Sequence, residues 1–431
     1  MPRAVDLLKE RYYSAIKEDP ELFIGIELEY PVVNLAGEAT DTEVTKSLMS
    51  YLAEVASLTV EKKDLEGTPV QLVSLDTGDM ILFEVSYNTI ELAFGKVKEL
   101  SQVEERLKSY LALIQPYLRQ RGHELQGEGV NPNWAKNDNS PVKLPRYEML
   151  MNFLSLSKNR KSSFFHDYPE YGAFICGSQV QLDVSRDNYL RVLNAFNQIE
   201  GPKALLFANS EFWGSDWDLA LSRDIFWEYS MHGVFKENVG VFPRLFKDEE
   251  DYFTYLSETA IFTAERPEGT YYFEPIRAKD YLKQTSIEAW DLNGNTVRIE
   301  PSANDFQTHR SYQFQDLTKR GTVEFRSVCT QAFEATFSPA AFHLGLLVNL
   351  EWFEQILSNT DFFERFAKDY PSIRRLYSKK IISKQDLAHI LPLLSSLLVC
   401  AEQGLVARGY GEEAYLHPLK QKLTELQKRL D

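Results

Sequence analysis

The chain has 431 residues, of which 44% are hydrophobic and 26% charged, and a formal net charge of −16 at pH 7. This composition is close to that of ordinary globular proteins, and the length allows more than one domain. The excess of acidic residues argues against non-specific binding to nucleic acids or anionic membranes, because both need a basic field on the protein.

Cysteine usage and the N-terminal stretch indicate the compartment. The three cysteines, Cys176, Cys329 and Cys400, are too few and too scattered for a disulfide framework or a zinc cluster. The N-terminus is charged throughout and lacks a hydrophobic signal core, and no apolar run reaches the ~20 residues of a membrane span. We therefore expect a cytoplasmic protein with no nucleic-acid or membrane partner, present as a monomer or a homodimer.

Apolar periodicity predicts alternating helices and strands before residue 135. The predicted elements, in chain order, are a helix over 1–20, a strand over 23–33, a helical stretch to about residue 57, two strands within 69–94 around a turn at Asp76–Asp79, a helix over 101–122 and a strand from residue 123. This last strand leads into a loop rich in glycine, asparagine and proline, which are typical turn residues.

The second half begins with a strand over 174–185 and a helix over 186–202. Residues 205–281 are rich in aromatic side chains, and we expect more loop than regular structure there. A strand follows over 319–331, and from about residue 336 the pattern is helical. These elements predict an α+β fold in one structural unit. Residues 1–335 would form the sheet and its flanking helices, and residues 336–431 a helical part packed on them.

Four of the predicted strands share an unusual alternation of side chains. In the first, FIGIELEYPVV at 23–33, Ile24 and Ile26 lie on one face while Glu27 and Glu29 lie on the other. The other three strands also set polar residues against apolar ones, and these polar residues are Glu84 and Ser86, then Gln179, Gln181 and Asp183, and finally Thr322, Glu324 and Arg326. An antiparallel sheet with one solvated face would give the same alternation.

The types of polar residue argue for more than a solvated face. These faces carry carboxylates, glutamines and one arginine, but no lysine. Carboxylates on one face repel one another unless a cation lies among them, and their oxygens are the hard ligands that Mg²⁺ prefers. The sequence therefore predicts a sheet face that holds Mg²⁺ together with a nucleotide. Because like charges repel, Glu84→Gln and Glu324→Gln are expected to leave the metal-free thermal midpoint unchanged or raised.

A series of short motifs resembles one known family. In chain order these are GIELE at 25–29, VSLDTGDMILFEVSYNTIEL at 73–92, GEGVNPNW at 127–134, LPRYEMLMNFL at 144–154, SQVQLD at 178–183, LLFANSEFW, SRDIFW, ANDFQTHRSYQFQDL, VEFRS, PAAFHLGLL and AEQGLVARGYGEEAYLHPL. Their order along most of the chain resembles the glutamate–cysteine ligases, most of all the plant-type branch. This resemblance implies a glutamine synthetase-like antiparallel sheet that forms a funnel, flanked by helices.

The resemblance implies a two-step ligation that uses ATP and Mg²⁺. The γ-carboxylate of glutamate would take the γ-phosphoryl group of ATP, and the α-amine of cysteine would then displace phosphate to give γ-glutamylcysteine, a step in glutathione biosynthesis. The implied metal ligands are Glu27, Glu29, Glu84, Glu324 and Glu91, the implied catalytic arginines are Arg326 and Arg223, the implied substrate contacts are Arg146, Trp134 and Gln181, and the implied nucleotide or metal contact is Gln179. Guanidinium groups suit these roles because they bind carboxylates and phosphates with two hydrogen bonds at once.

Several alternatives stay open at this point. Alternative roles are a pairing of Arg326 with Glu324 two residues away, an ordinary loop arginine for Arg223, a core aromatic for Trp134, and a solvent-facing strand-end residue for Glu91. The motifs trace the amine site least, so a γ-glutamyl ligase that uses an amine other than cysteine is the main alternative. A nucleotide- and Mg²⁺-binding regulator without ligase activity, or a structural protein, would also carry such a sheet face.

Overall fold

The strands of the molecule fall into a large sheet and two smaller ones. A computed structural model describes residues 3–430. Its strands are β1 (Ile24–Asn34), β2 (Thr59–Lys63), β3 (Pro69–Val73), β4 (Met80–Phe83), β5 (Thr89–Val97), β6 (His123–Leu125), β7 (Gly177–Asp183), β8 (Val239–Gly240), β9 (Ala260–Arg266), β10 (Gly269–Arg277), β11 (Ile287–Trp290), β12 (Thr296–Ile299), β13 (Tyr312–Gln313), β14 (Gln315–Leu317) and β15 (Thr322–Cys329).

Helices surround the sheets and make up the C-terminal part. They are α1 (Ala4–Tyr12), α2 (Thr42–Val55), α3 (Leu100–Arg119), α4 (Pro145–Ser155), α5 (Tyr189–Gln198), α6 (Glu200–Phe207), α7 (Arg223–Glu228), α8 (Glu249–Leu256), α9 (Ala278–Tyr281), α10 (Ser338–Val348), α11 (Leu350–Asn359), α12 (Tyr370–Tyr377), α13 (Lys384–Arg408) and α14 (His417–Lys428). Local sequence sets several ends: Asp41 accepts a hydrogen bond from the backbone N–H of Glu43 at the start of α2, and Gly409, with φ of +77°, ends α13.

The large sheet positions the polar residues identified in the sequence. Its strands follow the order β14-β15-β7-β1-β5-β4-β3-β2, with β6 pairing to the far end of β1. Every pairing in it is antiparallel. The apolar face of β1 is buried in the core together with residues of α2, α3 and the C-terminal helices. The predicted α+β class, with an antiparallel sheet and flanking helices, is confirmed.

Two of the predicted elements are wrong in detail. The stretch 69–94 forms three strands rather than two, because the chain leaves the sheet after Phe83 and returns at Thr89. Between them Val85 adopts φ of +58°, which a β-branched residue avoids and which no continuous strand contains. The N-terminal helix ends at Tyr12 rather than near residue 20, since the chain then turns to bridge Lys17 to Ser185.

Residues 205–281 are also more regular than expected. They include α7, α8, and the strands β9 and β10, which pair with β11 and β12 in a second, four-stranded sheet. Residues 260–262 are all buried, so β9 starts without the alternation that marks a half-exposed strand. The connection between β9 and β10 is short, and the aromatic-rich composition of this segment gives no sign of such a hairpin.

The C-terminal helices pack closely on the rest of the protein. In α13, the N-terminus is capped by Ser383, which accepts a hydrogen bond from the backbone N–H of Asp386. A Cβ atom at Gly404 would lie 2.1 Å from the carbonyl oxygen of Gly345 in α10, so these glycines permit the close contact of the two helices. Contacts of α10 with β7 and of α12 with α6 join this part to the sheet. The boundary near residue 335 stays a prediction.

One helix revises the expectation about apolar runs. By length and composition alone, α13 is long and apolar enough to cross a membrane, whereas no apolar run of that length was expected from the sequence. Within its most apolar stretch 56% of the residues are buried inside the protein, as in a core helix. It is the one such helix in the range that the structure describes.

Candidate active site

Four neighbouring strands bring the predicted polar residues onto one face of the large sheet. Glu27 of β1 is paired in register with Gln179 of β7, and Glu324 of β15 with Gln181. On the other side of β1, Glu29 lies directly opposite Glu91 of β5. Since side chains of directly opposed residues point to the same face of a sheet, this register gathers acids from three strands.

Glu29 is a buried carboxylate with few compensating charges. It is 8% exposed, and it accepts hydrogen bonds from the backbone N–H of Gly177 at 2.6 Å and from the side-chain amide of Gln179 at 3.1 Å. Burial raises the pKa of Glu29 to about 7; the charge of Arg223 opposes this rise, and the charge of Glu84 adds to it. An anionic Glu29 is therefore costly in the absence of a bound cation.

Glu27 and Glu324 are joined by one glutamine. The amide of Gln181 donates to Oε1 of Glu27 at 2.9 Å and to Oε1 of Glu324 at 3.0 Å. Burial and the neighbouring charge of Glu324 raise the pKa of Glu27 to about 7. Burial also acts on Glu324, but the guanidinium groups of Arg326 and Arg310 outweigh it and hold the pKa of Glu324 below its usual value. Glu324 is thus charge-compensated, and Glu27 is not.

The ion pair between Arg326 and Glu324 changes one stability expectation. Arg326 donates to Oε2 of Glu324, and both side chains are nearly buried. Removing one partner from a buried pair leaves the other charge unpaired, which costs free energy. The expectation that Glu324→Gln leaves the metal-free protein unchanged or more stable is therefore at odds with this geometry.

Glu84 reaches the same space through a turn and not through strand alternation. It follows the last residue of β4, and the positive φ of Val85 directs the chain away from the sheet. The hydroxyl of Tyr147 in α4 donates to Oε2 of Glu84 at 2.7 Å. Burial, followed by the charges of Glu84, Glu27 and Glu29, raises the pKa of Glu91 well above its usual value. With the effect of Glu324 on Glu27, all five predicted carboxylates thus belong to one electrostatically coupled group.

A cavity of about 370 Å³ lies against this sheet face. Its polar lining includes Glu29, Glu84, Gln179, Arg223, Arg310 and Arg326. The exposed Arg146 at the start of α4 also lines it. Glu27, Glu91, Glu324 and Gln181 belong to the same sheet face but do not line the cavity. The cavity therefore combines carboxylates and guanidinium groups in one space.

Arg223 is fixed by the backbone around it. Its Nη1 donates to the carbonyl oxygen of Val328 at 2.8 Å, and a Cβ atom at Gly177 would lie 2.5 Å from its Nη2. Gly177 is thus small because the guanidinium group occupies the place of a side chain. Within residues 3–430, the buried Nε of Arg223 has no hydrogen-bond partner, so the group retains a donor for a ligand.

Trp134 lies away from the cavity lining. It packs in an aromatic cluster with Phe174 at 5.3 Å and Phe212 at 4.9 Å between ring centroids, and with Tyr168 edge-on at 5.5 Å. Trp134 therefore packs as a core aromatic, which was the alternative to a substrate contact. The structure does not bring it together with the other predicted substrate contacts.

The sequence analysis missed two residues that line the cavity, Arg310 and His232, and Tyr147, which donates to Glu84. Arg310 follows the short helical turn before β13 and is not part of a periodic pattern. Like Arg326, it lines the cavity. Desolvation opposes the charge of Arg310, but Tyr312 and the carboxylates Glu324 and Glu84 raise its pKa. Tyr147 belongs to a quoted motif yet received no role. His232 belongs to no element that the sequence predicted.

The carboxylates suit Mg²⁺ in chemistry but not yet in arrangement. Among the described residues, no three His, Cys, Asp or Glu side chains are close enough to hold a metal ion as they stand. Their oxygens are hard donors, and Glu27, Glu29 and Glu91 have raised pKa values that a nearby cation would reverse. The buried Oε1 of Gln179 has no hydrogen-bond partner among residues 3–430. The residues therefore match Mg²⁺ in the chemistry of their oxygens, whereas the side chains as they stand do not form a metal site.

Comparison with known proteins agrees with the motifs. The sequence profile of glutamate–cysteine ligase family 2 (GCS2) matches residues 23–379. The chloroplastic glutamate–cysteine ligase of Arabidopsis thaliana is 22% identical over 380 residues, which are 83% of this chain and 65% of that protein. The enzyme of Brassica juncea is 22% identical over 376 residues, with 83% and 66% covered. The chain thus spans about two thirds of the length of these relatives.

Two solved structures resemble the fold loosely. A bifunctional glutathione synthetase from Pasteurella multocida aligns with a TM-score of 0.37 and 10% identity over 99% of this chain and 55% of that one. A glutamate–cysteine ligase from Francisella tularensis in complex with AMP aligns with a TM-score of 0.41 and 11% identity over 96% and 89%. Both superpositions are too loose to bear on the chemistry. The match over residues 23–379 shows that this chain belongs to glutamate–cysteine ligase family 2.

Proposed function

We propose that the protein is an ATP- and Mg²⁺-dependent ligase that joins the γ-carboxylate of L-glutamate to an amine through a γ-glutamyl phosphate. L-Cysteine is the first acceptor to test, and the product would then be γ-glutamylcysteine. Family membership supports the reaction class. The observation that carries the proposal is the cavity in which Glu29 and Glu84 lie beside Arg223, Arg310 and Arg326.

The chain supplies what phosphoryl transfer needs. Such a reaction asks the protein for positioning and charge neutralisation more than for covalent chemistry. Glu27, Glu29, Glu84 and Glu324, with Glu91 behind them, would hold Mg²⁺, which supplies neutralisation of the phosphate oxygens when bound. Arg223 lines the cavity and its Nε has no hydrogen-bond partner among residues 3–430, so its guanidinium group would bind the carboxylate of the acid substrate.

The two substrates would enter from different ends of the sheet face. Glu27 is 25% exposed and lies 3.9 Å from Arg320, which is 62% exposed. Lys17 and Lys96 act on Asp183 at the same edge. This open, basic edge suits the triphosphate of ATP, whereas the cavity at Glu29 is recessed and suits the acid.

The bond changes balance without a further reactant. An oxygen of the glutamate γ-carboxylate attacks the γ-phosphorus of ATP, the bond to the β-phosphate oxygen breaks, and ADP leaves. The nitrogen of the uncharged amine then attacks the acyl carbon, the C–O bond to phosphate breaks with its electron pair on the phosphate, and the surplus amine proton passes to solvent. Arg326, which lines the cavity, would stabilise the anionic phosphoryl group.

A turnover assay tests the proposal. The protein is incubated with Mg²⁺, ATP, L-glutamate and a panel of amines that includes cysteine and hydroxylamine, and ADP release and product mass are measured. Hydroxylamine is small enough to trap an acyl phosphate without an acceptor site, so glutamyl hydroxamate reports activation of the acid alone. Glu84→Gln should abolish all turnover, whereas Glu43→Gln, whose side chain is 79% exposed, should not. ATP binding without hydroxamate would favour a regulatory protein.

One observation favours an amine other than cysteine as a second candidate. The cavity also has an apolar and aromatic wall, which includes Met149, Leu154, Trp227 and Phe262. Cysteine carries a small side chain that would leave much of this wall uncovered. A larger acceptor would cover it and displace water from apolar surface.

A further inference from the structure

The apolar wall of the cavity holds one polar side chain without partners. His232 is 1% exposed and lines the cavity. Its ring centroid lies 3.9 Å from that of Tyr312, 5.4 Å from that of Phe262 and 5.5 Å from that of Trp227. Aromatic rings thus surround the imidazole on several sides.

Neither ring nitrogen of His232 is satisfied by the protein. Both Nδ1 and Nε2 are buried, and neither has a hydrogen-bond partner among residues 3–430. Burial, with a smaller contribution from the charge of Arg310, lowers the pKa of His232 to about 3. The neutral imidazole therefore offers one N–H donor and one nitrogen acceptor. A buried polar group without a partner is rare in native proteins and indicates a missing partner.

We propose that this aromatic wall is the acceptor subsite of the ligase, and that the acceptor is a primary amine carrying an aromatic or similarly flat apolar group with a hydrogen-bonding atom for His232. The inference rests on the proposed function, because it names the substrate class of the same reaction. Tyr312 and Phe262 would contact the flat group, since aromatic pairs favour stacked or edge-on contact. His232 would then select acceptors that satisfy its nitrogen atoms.

The adenine ring of ATP is the other flat group in the reaction. The placement of charge favours the amine. The exposed cations Lys17, Lys96 and Arg320 gather at the open edge of the sheet, which assigns the phosphates to that edge. Phosphate and ADP then occupy that side of the acyl carbon, so the amine must approach from the cavity.

The aminolysis step is the same as for any amine acceptor. The nitrogen lone pair forms the C–N bond, the C–O bond to phosphate breaks with its electron pair on the leaving phosphate, and the amine proton passes to solvent. Only the group attached to the nitrogen differs. The subsite therefore affects acceptor binding and leaves the chemistry of acid activation unaltered.

Acceptor kinetics with the full chain test this proposal. Glutamyl hydroxamate formation first shows whether the acid is activated. With that established, kcat/KM is compared for tyramine, 2-phenylethylamine and histamine against cysteine and a straight-chain alkylamine. We expect at least one aromatic amine to exceed cysteine about 10-fold or more. A preference for cysteine, or for the alkylamine, would overturn the assignment while leaving the ligase proposal intact.

His232→Phe separates a subsite from a packing role. Phenylalanine keeps the ring contacts with Tyr312 but removes both nitrogens, so KM for the preferred aromatic amine should rise about 10-fold, as for one lost hydrogen bond, with a smaller change in kcat. His232→Gln, which keeps a donor and an acceptor, should recover part of this loss. His389→Phe is the matched control, because His389 stacks on Phe362 outside the cavity. If His232→Phe raised KM for ATP and left KM for the aromatic amine unchanged, the aromatic wall would be assigned to adenine and the acceptor proposal would be overturned.

A binding measurement covers the case in which no turnover is seen. Saturation-transfer NMR with tyramine and the wild-type protein should show contact to the aromatic protons, and His232→Phe should weaken it several-fold. If tyramine bound in this way but no glutamyl hydroxamate formed, the result would contradict the ligase proposal alone. Absence of binding with hydroxamate formation would contradict the subsite alone.

Discussion

Glu29 provides the most direct test of the buried carboxylates. Burial raises its pKa from 4.5 to about 7. One pKa unit corresponds to ~1.36 kcal/mol, so the ionised side chain destabilises the metal-free protein by roughly 3 kcal/mol above that pKa. Glu29→Gln removes the charge but keeps an oxygen for the N–H of Gly177, at a cost of roughly 1 kcal/mol for a weaker bond. We therefore expect the variant to be more stable by roughly 2 kcal/mol at alkaline pH.

The direction of the pH dependence follows from the same shift. Because the folded-state pKa of Glu29 lies above the unfolded-state value, the folded protein binds more protons between pH 4.5 and about 7. The stability that this carboxyl contributes is therefore fully present below the unfolded pKa and is lost as the pH rises through the folded pKa. Below that window the wild-type side chain is protonated, and the advantage of Glu29→Gln should disappear.

Thermal unfolding followed by circular dichroism measures both effects. Wild type, Glu29→Gln and the exposed control Glu43→Gln are compared in EDTA, on either side of the pH window. In a large chain 1 kcal/mol moves Tm by roughly 2–4 °C or less, so a rise of a few degrees is expected above the window and none below it. A Tm at or below that of wild type above the window, or a rise that persists in acid, would refute the reasoning.

Four further outcomes follow from the site. Glu324→Gln should lower stability by roughly 1–3 kcal/mol in urea unfolding, because it leaves Arg326 unpaired; an unchanged midpoint would contradict this. Mg²⁺ should raise Tm more above pH 7 than below it, and less in Glu29→Gln, since protons and the cation compete for the same oxygens. Arg326→Lys should reduce hydroxamate formation on the order of 10²-fold, because a lysine lacks the planar fork. Gly177→Ala should displace the guanidinium of Arg223 and lower kcat/KM for glutamate about 10-fold or more with a small change in Tm.

Strand periodicity was sufficient to predict the part of the site that is carried by regular strands. Glu27, Glu29, Gln179, Gln181 and Glu324 alternate with apolar residues, and the period of two places them on the same face once the strands pair. The sequence could not supply the register that sets Glu29 opposite Glu91, because pairing depends on contacts between distant segments. It also could not show that Glu324 is compensated by Arg326 while Glu27 is not.

The rest of the site depends on irregular backbone, where no period exists. Glu84 lines the cavity, but the strand from which it was predicted ends before it, and the positive φ of Val85 is what turns its chain segment. Arg310 precedes β13 and His232 lies in a short helical turn, so strand periodicity marks neither, although Arg310 falls within the motif ANDFQTHRSYQFQDL. Trp134 ends the motif GEGVNPNW, and the family resemblance implied a substrate contact for it, but tertiary packing directs it into the aromatic cluster.

Burial of these carboxylates links stability to the proposed chemistry. Glu27, Glu29 and Glu91 each resist ionisation in the metal-free protein, so part of the folding free energy is lost at neutral pH. A divalent cation that binds the folded state recovers that loss by mass action. Solvent-exposed glutamates would hold the same cation more weakly, because water screens the attraction. The hydrophobic strand that carries Glu27 and Glu29 thus destabilises the metal-free protein, and for the same reason it strengthens cation binding where a phosphoryl group would be transferred.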